Sequence, residues 1–428
     1  MRPAAETAES RKVSGLAPGG TAEVNYEDES WAVFQAFNRS VGFGQPSLYP
    51  VYAALREESA VHPGMPHLGL LGNPEAGPQT FSVYGYDAAA EVLLDPATYS
   101  SAVWSDYLGS IIGRTVIEMD PPDHRAYRML LQKSLSPKSM EGWKRNLVEP
   151  LLAEMTARIR PAGRADILSG LLFAFPMRTF ASMLGLPDRL FPVFHHRAIK
   201  LITLSADPEA GRAVIDELGG MFAEVLQARR REPRDDLLSV LSQAEHDGQR
   251  LTDEEIFSFL RLLLPAGAET TYRSSSSLLL YLLTQPDQFD LVKRDPGLLP
   301  TAVNEAFRLE APLQFVPRGV TRDTELAGVP IPAGSTVIVN LGAANHDPAR
   351  WEDPDRFDLS RPYQQYLSFG YGPHLCIGMH LAKMETESLV RALVRDLPNL
   401  RLDPALDPPQ IGGTLMRSPE RLDVVWDA

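Results

Sequence analysis

Apolar residues recur with helical spacing through most of the middle of the chain. The region 121–312 has this pattern almost throughout, and 137–159 is one clear example. Two short runs nearer the ends have the β-branched character of strands, Thr80–Val83 and 334–340. No internal repeat and no low-complexity linker divides this pattern. It predicts an α-rich α+β fold with small β-sheets, formed as one unit.

One predicted helix is longer than usual and is interrupted near its centre. Thr252 and Glu255 have the spacing of a capping box, and apolar residues then continue over 256–283. Pro265 removes a backbone donor, and Gly267 weakens the helix further. An acid and two hydroxyls follow directly, which suggests an opening where another group must fit. A kinked core helix with a capped polar pair explains the same residues equally well.

Composition narrows the class of protein. Of 428 residues, 44% are hydrophobic and 22% charged, enough for a large packed core. The formal net charge of 41 minus 55, or -14, argues against a nucleic-acid binder, which needs basic surface. The single cysteine excludes an internal disulfide and any multi-cysteine zinc or iron–sulfur site.

The first residues have neither a signal peptide nor a membrane anchor, because charged side chains replace the apolar segment that either would need. Residues 1–24 are rich in Ala, Gly, Pro and charge, so we expect a disordered arm there, with the folded domain spanning 25–428. These features predict a soluble, cytoplasmic protein without a transmembrane anchor.

The cysteine lies in an unusual setting, the run Phe-Gly-Tyr-Gly-Pro-His-Leu-Cys-Ile-Gly at 369–378. Three glycines and a proline predict a tight loop whose backbone N–H groups can point at the Cys376 sulfur. A good helix start follows at 379–385, and its positive end also favours an anion. A thiolate with no second protein ligand nearby suits an axial position on a haem iron.

This run resembles the cysteine loop of the cytochrome P450 family, Phe-Gly-x-Gly-x-His-x-Cys-x-Gly, at every fixed position. The likeness extends from about residue 46 to the C-terminus and is greatest to the soluble bacterial members. It implies the α-rich single-domain cytochrome P450 fold. It also implies haem b (iron protoporphyrin IX), with Cys376 as the axial ligand of the iron.

The resemblance also assigns an oxygen-activating centre. The segment Ala-Gly-Ala-Glu-Thr-Thr at 266–271 resembles the centre of the family's long helix, with Glu269 as the acid and Thr270 as the alcohol of a proton-delivery pair. Cleavage of dioxygen needs protons, which a hydroxyl supplied by water and a carboxylate can relay. Pro265 is less usual at its place.

Further family segments imply contacts to the haem and a supporting ion network. His124, Arg128, Arg318 and His374 would bind the two propionates, which need several cations when buried. Glu305 and Arg308 are three apart, so they share a helix face, and the resemblance assigns Arg356 to complete a buried structural network with them.

The family layout implies a mostly apolar substrate pocket. Its expected members are Val103, Trp104, Tyr107, Ala266, Leu313, Gln314, Phe315, Leu415 and Met416. Such a wall predicts a neutral, lipophilic substrate with one or two oxygen functions. Arg197 and Lys200 are the charges that would contradict this if either faced the pocket.

The implied reaction inserts one oxygen atom of O₂ into an organic substrate, by hydroxylation or epoxidation, with electrons from NAD(P)H through a reductase and a ferredoxin. Lys133, Lys138 and Lys383 are candidates for a basic docking patch. The alternatives are a peroxide-using or rearranging haem-thiolate enzyme without an electron partner, and a non-catalytic haem-binding protein. A cysteine hydrolase is a weaker alternative, because nothing in the sequence pairs Cys376 with a base.

Overall fold

A computed structural model of the chain describes residues 26–40, 47–65, 79–109, 112–203, 208–246 and 248–427. The expected arm at 1–24 lies outside the described residues, so it stays a prediction. The α-helices, numbered in chain order, are α1 Tyr26–Ser40, α2 Tyr49–Glu58, α3 Tyr86–Leu94, α4 Asp123–Gln132, α5 Pro137–Trp143, α6 Glu149–Ile159, α7 Ala174–Met183, α8 Phe191–Ile202, α9 Pro208–Arg231, α10 Leu237–Gln243, α11 Asp253–Leu263, α12 Thr270–Thr284, α13 Pro286–Arg294, α14 Leu299–Leu309, α15 Leu341–Ala344 and α16 Met379–Asp396.

The strands are short and form small sheets. They are β1 Val61–Pro63, β2 Thr80–Val83, β3 Tyr99–Ser100, β4 Arg164–Asp166, β5 Glu245–His246, β6 Gln249–Arg250, β7 Phe315–Val320, β8 Thr324–Leu326, β9 Val329–Ile331, β10 Thr336–Asn340, β11 Arg401–Leu402, β12 Ile411–Gly412, β13 Ser418–Pro419 and β14 Asp423–Val425. The largest sheet has the order β1-β2-β10-β7-β3. In it, β10 pairs parallel with β2 and antiparallel with β7.

The predicted α-rich α+β fold with small sheets is confirmed. All five residues of β10 are buried, as expected for the β-branched run at 334–340. One apolar core joins most of the helices, and α12 packs within it against α14 and α16. Within the described ranges, every helix is too short or too polar to cross a membrane.

The interrupted long helix forms as the sequence predicts. The Thr252 hydroxyl accepts from the Glu255 N–H, and the Glu255 carboxylate accepts from the Thr252 N–H, which completes the capping box at the start of α11. A π-helical turn, Leu264–Glu269, separates α11 from α12. Pro265 lies in this turn, and its missing N–H breaks the regular hydrogen-bond ladder. The widened turn therefore falls where the acid and hydroxyls are.

Candidate functional site

The cysteine loop has the tight geometry that its glycines require. Gly370 and Gly372 have φ values of 70° and 69°, a region that glycine occupies without strain. A Cβ on Gly372 would lie 2.6 Å from the Leu93 carbonyl oxygen, so only glycine fits there. The Cys376 N–H donates to the Phe369 carbonyl at 2.8 Å, which closes the loop just before α16 begins.

The Cys376 thiol is accessible although protein atoms surround it. Burial raises the pKa of the thiol, while the Gly378 N–H, the Arg128 charge and the Met379 N–H act to lower it. The side chain is nevertheless exposed. A sulfur that is surrounded by protein atoms and still accessible leaves room for another group beside it. The expected backbone donors are present, but burial outweighs them in the free thiol.

Four predicted cationic or potentially cationic side chains lie close together near this loop. The rings of His124 and His374 are 4.1 Å apart between centroids. Arg128 donates from Nη2 to the Leu375 carbonyl at 2.5 Å, within the cysteine loop. Arg318 is buried, donates from Nη1 to the Pro317 carbonyl at 2.7 Å, and has no salt-bridge partner among the described residues.

The side chains of this cluster are buried or half-buried, and neither of its arginines has a salt-bridge partner among the described residues. Burial, opposed by Asp120, lowers the pKa of Arg318 to about 10. Burial and then the nearby charges of His124, Arg318 and Arg128 lower the pKa of His374 to about 3. In the described part of the chain, the buried Nε2 atoms of both histidines have no hydrogen-bond partner. Buried ring nitrogens without a partner and guanidinium groups without a carboxylate suit a buried dianion, so these residues fit the two propionates of a haem.

The widened helical turn presents a hydroxyl at the predicted oxygen-activating centre. Ala266 is exposed, whereas Leu264, Ala268 and Glu269 of the same turn are buried. The Thr270 hydroxyl donates to the Ala266 carbonyl at 2.6 Å, one turn back. Glu269 is 7% exposed and turns toward Arg273, whose Nη2 lies 2.7 Å from Oε1. The sequence had not assigned Arg273 to the site, although its spacing of four from Glu269 is that of a helical ion pair.

A buried ion network forms around Glu305, but one of its predicted members is wrong. Arg308 binds the carboxylate through Nε and Nη2, both at 2.9 Å. The second guanidinium is that of Arg361, with Nε 2.9 Å from Glu305 Oε1, and not that of Arg356. The Arg356 side chain is exposed, and only its carbonyl takes part, accepting from Arg308 and Arg361. The chain turns between the two positions, which directs the later arginine inward.

Two of the predicted pocket segments meet. Leu313 and Met416 form an antiparallel bridge, and the Gln314 N–H donates to the Leu415 carbonyl at 2.9 Å. Phe315 and Met416 are buried, whereas Leu313 and Leu415 keep accessible surface. The assignment of Gln314 as a pocket residue is wrong. Its side chain is fully buried, and its amide donates to the Ala311 carbonyl at 2.7 Å, so it presents no accessible polar group.

The other predicted pocket residues are distributed as follows. Val103 and Trp104 are half-buried, and the Tyr107 side chain lies outside the described part of the structure.

A buried ion pair that the sequence did not suggest supports the two joined pocket segments: Arg417 Nε donates to Glu310 Oε2 at 2.8 Å. Each partner lies within three residues of a pocket segment, but neither position predicts the pairing.

Comparisons with known proteins agree on one family. The sequence profile described as "Cytochrome P450" matches residues 297–425. The chain is 33% identical to cytochrome P450 monooxygenase PikC of Streptomyces venezuelae, over 83% of this chain and 85% of the relative. It is 34% identical to 6-deoxyerythronolide B hydroxylase of Saccharopolyspora erythraea, over 83% of this chain and 89% of the relative.

A solved structure supports the same grouping. CYP109E1 from Bacillus megaterium, in complex with testosterone, superposes with a TM-score of 0.80 at 28% sequence identity. The superposition covers 90% of this chain and 100% of that one. The fold is therefore shared with this bacterial protein.

Proposed function

The chain belongs to the cytochrome P450 family, an oxygen-incorporating oxidoreductase family, and from this premise we propose that it oxygenates a neutral, lipophilic substrate with electrons from NAD(P)H. The overall reaction is RH + O₂ + NAD(P)H + H⁺ → ROH + H₂O + NAD(P)⁺, or the corresponding epoxidation of an alkene. The electrons pass through a reductase and a ferredoxin.

The cofactor of the family is haem b, and the residues present fit it. Cys376 would hold the iron, and His124, Arg128, Arg318 and His374 would hold the propionates. When bound, the haem supplies the redox centre for oxygen activation, with the thiolate donating electron density. The single observation that carries this assignment is the accessible Cys376 thiol beside two histidines whose buried Nε2 atoms have no hydrogen-bond partner among the described residues.

In this proposal, two side chains of the protein relay the protons that the reaction needs. Thr270 keeps a hydroxyl at the widened turn, and its bond to the Ala266 carbonyl orients that hydroxyl. Glu269 supplies a carboxylate one residue before it. A hydroxyl and a carboxylate so placed can move protons from water to the reacting oxygen. Retention of both groups favours oxygen activation over a peroxide-using or non-catalytic role.

The side chains near the proposed pocket favour a neutral substrate. Arg197 donates from Nε to Glu217 Oε2 at 2.7 Å, so α9 already neutralises its charge. Lys200 is exposed, and Arg417 is buried in its pair with Glu310. Both arginines are thus already paired with carboxylates, and among these three cations none is both buried and left to bind a substrate carboxylate. Two similar proteins are, by their names, a 6-deoxyerythronolide B hydroxylase and a protein solved in complex with testosterone.

A basic docking patch has limited support. Lys138 is exposed, but Lys133 bonds the Glu245 carbonyl. Lys383 packs over the rings of Tyr366 and Phe369, at 5.3 and 5.4 Å, and burial lowers its pKa. We therefore propose a ferredoxin-type electron donor because the reaction of the family needs one. Of the three lysines, Lys138 is exposed and makes no hydrogen bond with a described residue.

The test is a spectroscopic ligand screen followed by turnover. Neutral steroids and macrolactones should shift the haem spin state at lower concentration than fatty acids or aromatic acids of similar size. A compound that shifts it should be oxygenated with NADPH, a surrogate ferredoxin and its reductase. Turnover with hydrogen peroxide but not with the reductase system would support the peroxide-using alternative. Binding without turnover in either system would support the non-catalytic one.

A further inference from the structure

Arg273 is a fully buried arginine on the long helix, four residues after Glu269. Its side chain is 0% exposed. It donates to Glu269 Oε1 from Nε at 3.1 Å and from Nη2 at 2.7 Å. A buried guanidinium needs acceptors for its other N–H groups, because leaving them without partners in a dry environment is costly.

Two distant parts of the chain supply those acceptors. Asn38 of α1 accepts from Nη2 through Oδ1 at 2.7 Å, and Ser418 of β13 accepts from Nη1 through Oγ at 3.2 Å. Asn38 is itself only 1% exposed. Phe34, one turn earlier on α1, has its ring centroid 5.4 Å from the guanidinium carbon. Helix α1 therefore covers Arg273 with one polar and one aromatic side chain.

The ion pair treats the two carboxylate oxygens differently. Both bonds from Arg273 go to Oε1, and Oε2 accepts no hydrogen bond from the described residues. One oxygen is thus anchored, and the other has no donor among the described residues. The bonds to Oε1 hold the Glu269 carboxylate in one orientation. They leave Oε2 free to exchange protons. The exclusion of water by α1 strengthens the anchoring bonds.

We propose that Arg273 is a positioning residue for Glu269. Helix α1 then also contributes to the oxygen-activating centre, because its Asn38 accepts a hydrogen bond from Arg273. This inference rests on the proposed role of Glu269 in proton delivery. Loss of Asn38 removes an acceptor from Arg273, which then shifts toward other acceptors and releases Oε1. The carboxylate no longer keeps the orientation in which it supplies protons toward Thr270.

The first measurement needs no substrate. The haem-loaded protein is supplied with NADPH, a surrogate ferredoxin and its reductase, and NADPH and O₂ consumption are measured together. Reduction to peroxide, O₂ + NADPH + H⁺ → H₂O₂ + NADP⁺, uses one NADPH per O₂. Reduction to water, O₂ + 2 NADPH + 2 H⁺ → 2 H₂O + 2 NADP⁺, uses two and requires O–O cleavage. The ratio therefore reports how well protons reach the reacting oxygen.

The variants separate positioning from general stability. Arg273→Gln and Asn38→Ala should lower the NADPH-to-O₂ ratio toward one, and Arg273→Lys should give an intermediate ratio because one ammonium cannot reproduce the fork. Gln35→Ala is the matched control on α1, since Gln35 bonds the Glu420 carbonyl at 3.2 Å and not Arg273. Arg261→Gln is the control on the long helix, because Arg261 is a buried arginine paired with Glu254. Both controls should keep the parent ratio.

A second measurement does not depend on activity. Hydrogen–deuterium exchange over 26–40 should accelerate by about tenfold in Arg273→Gln, because α1 loses the hydrogen bond between Asn38 and the long helix. Unchanged exchange together with an unchanged ratio would overturn the inference. So would equal loss of coupling in Asn38→Ala and Gln35→Ala, since α1 would then act only as a cover.

Different results would contradict the proton-delivery role of Glu269 and the positioning role of Arg273. Glu269→Gln tests the proton-delivery role alone, and it should lower the ratio as far as Arg273→Gln does. A parent-like ratio in Glu269→Gln, or a parent ratio already at one, would remove Glu269 from the relay and with it the basis of the inference. A lowered ratio in Glu269→Gln with parent-like Arg273 and Asn38 variants would overturn the positioning role only.

Discussion

Replacement of Arg361 by alanine should destabilise the protein, because it removes one of the two partners of the buried Glu305 carboxylate. The Arg361 side chain is 10% exposed and that of Glu305 is 5% exposed, with 2.9 Å between Nε and Oε1. Breaking a buried ion pair by removing one partner costs about 3–5 kcal/mol. Arg308 remains on Glu305, so we expect the lower end, about 3 kcal/mol. The bonds from Arg361 to the Glu352 and Asp353 carbonyls are near solvent and add little, because water replaces them.

The assay is urea unfolding of the haem-loaded protein, with the carbon monoxide difference spectrum as a measure of thiolate-ligated haem. Arg356→Ala is the matched control. It removes an exposed arginine from the same turn and keeps the carbonyl that accepts from Arg308 and Arg361. The control should change the free energy of unfolding by no more than about 0.5 kcal/mol. Equal destabilisation by the two replacements would show that the network geometry described here is incorrect.

Three further changes test other parts of the site. Cys376→Ser should abolish the shifted carbon monoxide absorption of thiolate-ligated haem, and a mutant that kept the spectrum would refute the ligand assignment. Thr270→Ala should bind haem normally yet lower product per NADPH at least about tenfold, with peroxide released instead, whereas parent-like coupling would exclude Thr270 from proton delivery. Burial raises the pKa of Glu385 from the ordinary 4.5 to about 8, opposed by a hydrogen bond with Thr271. Between those values the folded protein holds a proton that the unfolded chain lacks, so the free energy of unfolding should fall as pH rises, by up to about 1.4 kcal/mol per pH unit. Urea unfolding across this range should show that slope in the parent and not in Glu385→Gln.

The sequence alone predicted the parts of the site that depend on local geometry. The glycines and proline of 369–378 restrict that loop to a tight path, whatever packs around it. The capping box at Thr252 and the break at Pro265 follow from backbone hydrogen bonding within one helix. The spacing of Glu305 and Arg308 likewise places both on one helix face.

Only the tertiary structure decided which distant charges meet. Arg356 and Arg361 are five residues apart in a turn, and the direction of that turn selects the partner of Glu305. Asn38 reaches Arg273 across 235 positions, and Glu310 reaches Arg417 across 107. Local rules cannot predict such pairs, because burial of a charge depends on which elements pack over it. The sequence therefore determined the loop, the helix break and the fold class, while long-range packing chose the partners that hold each buried charge.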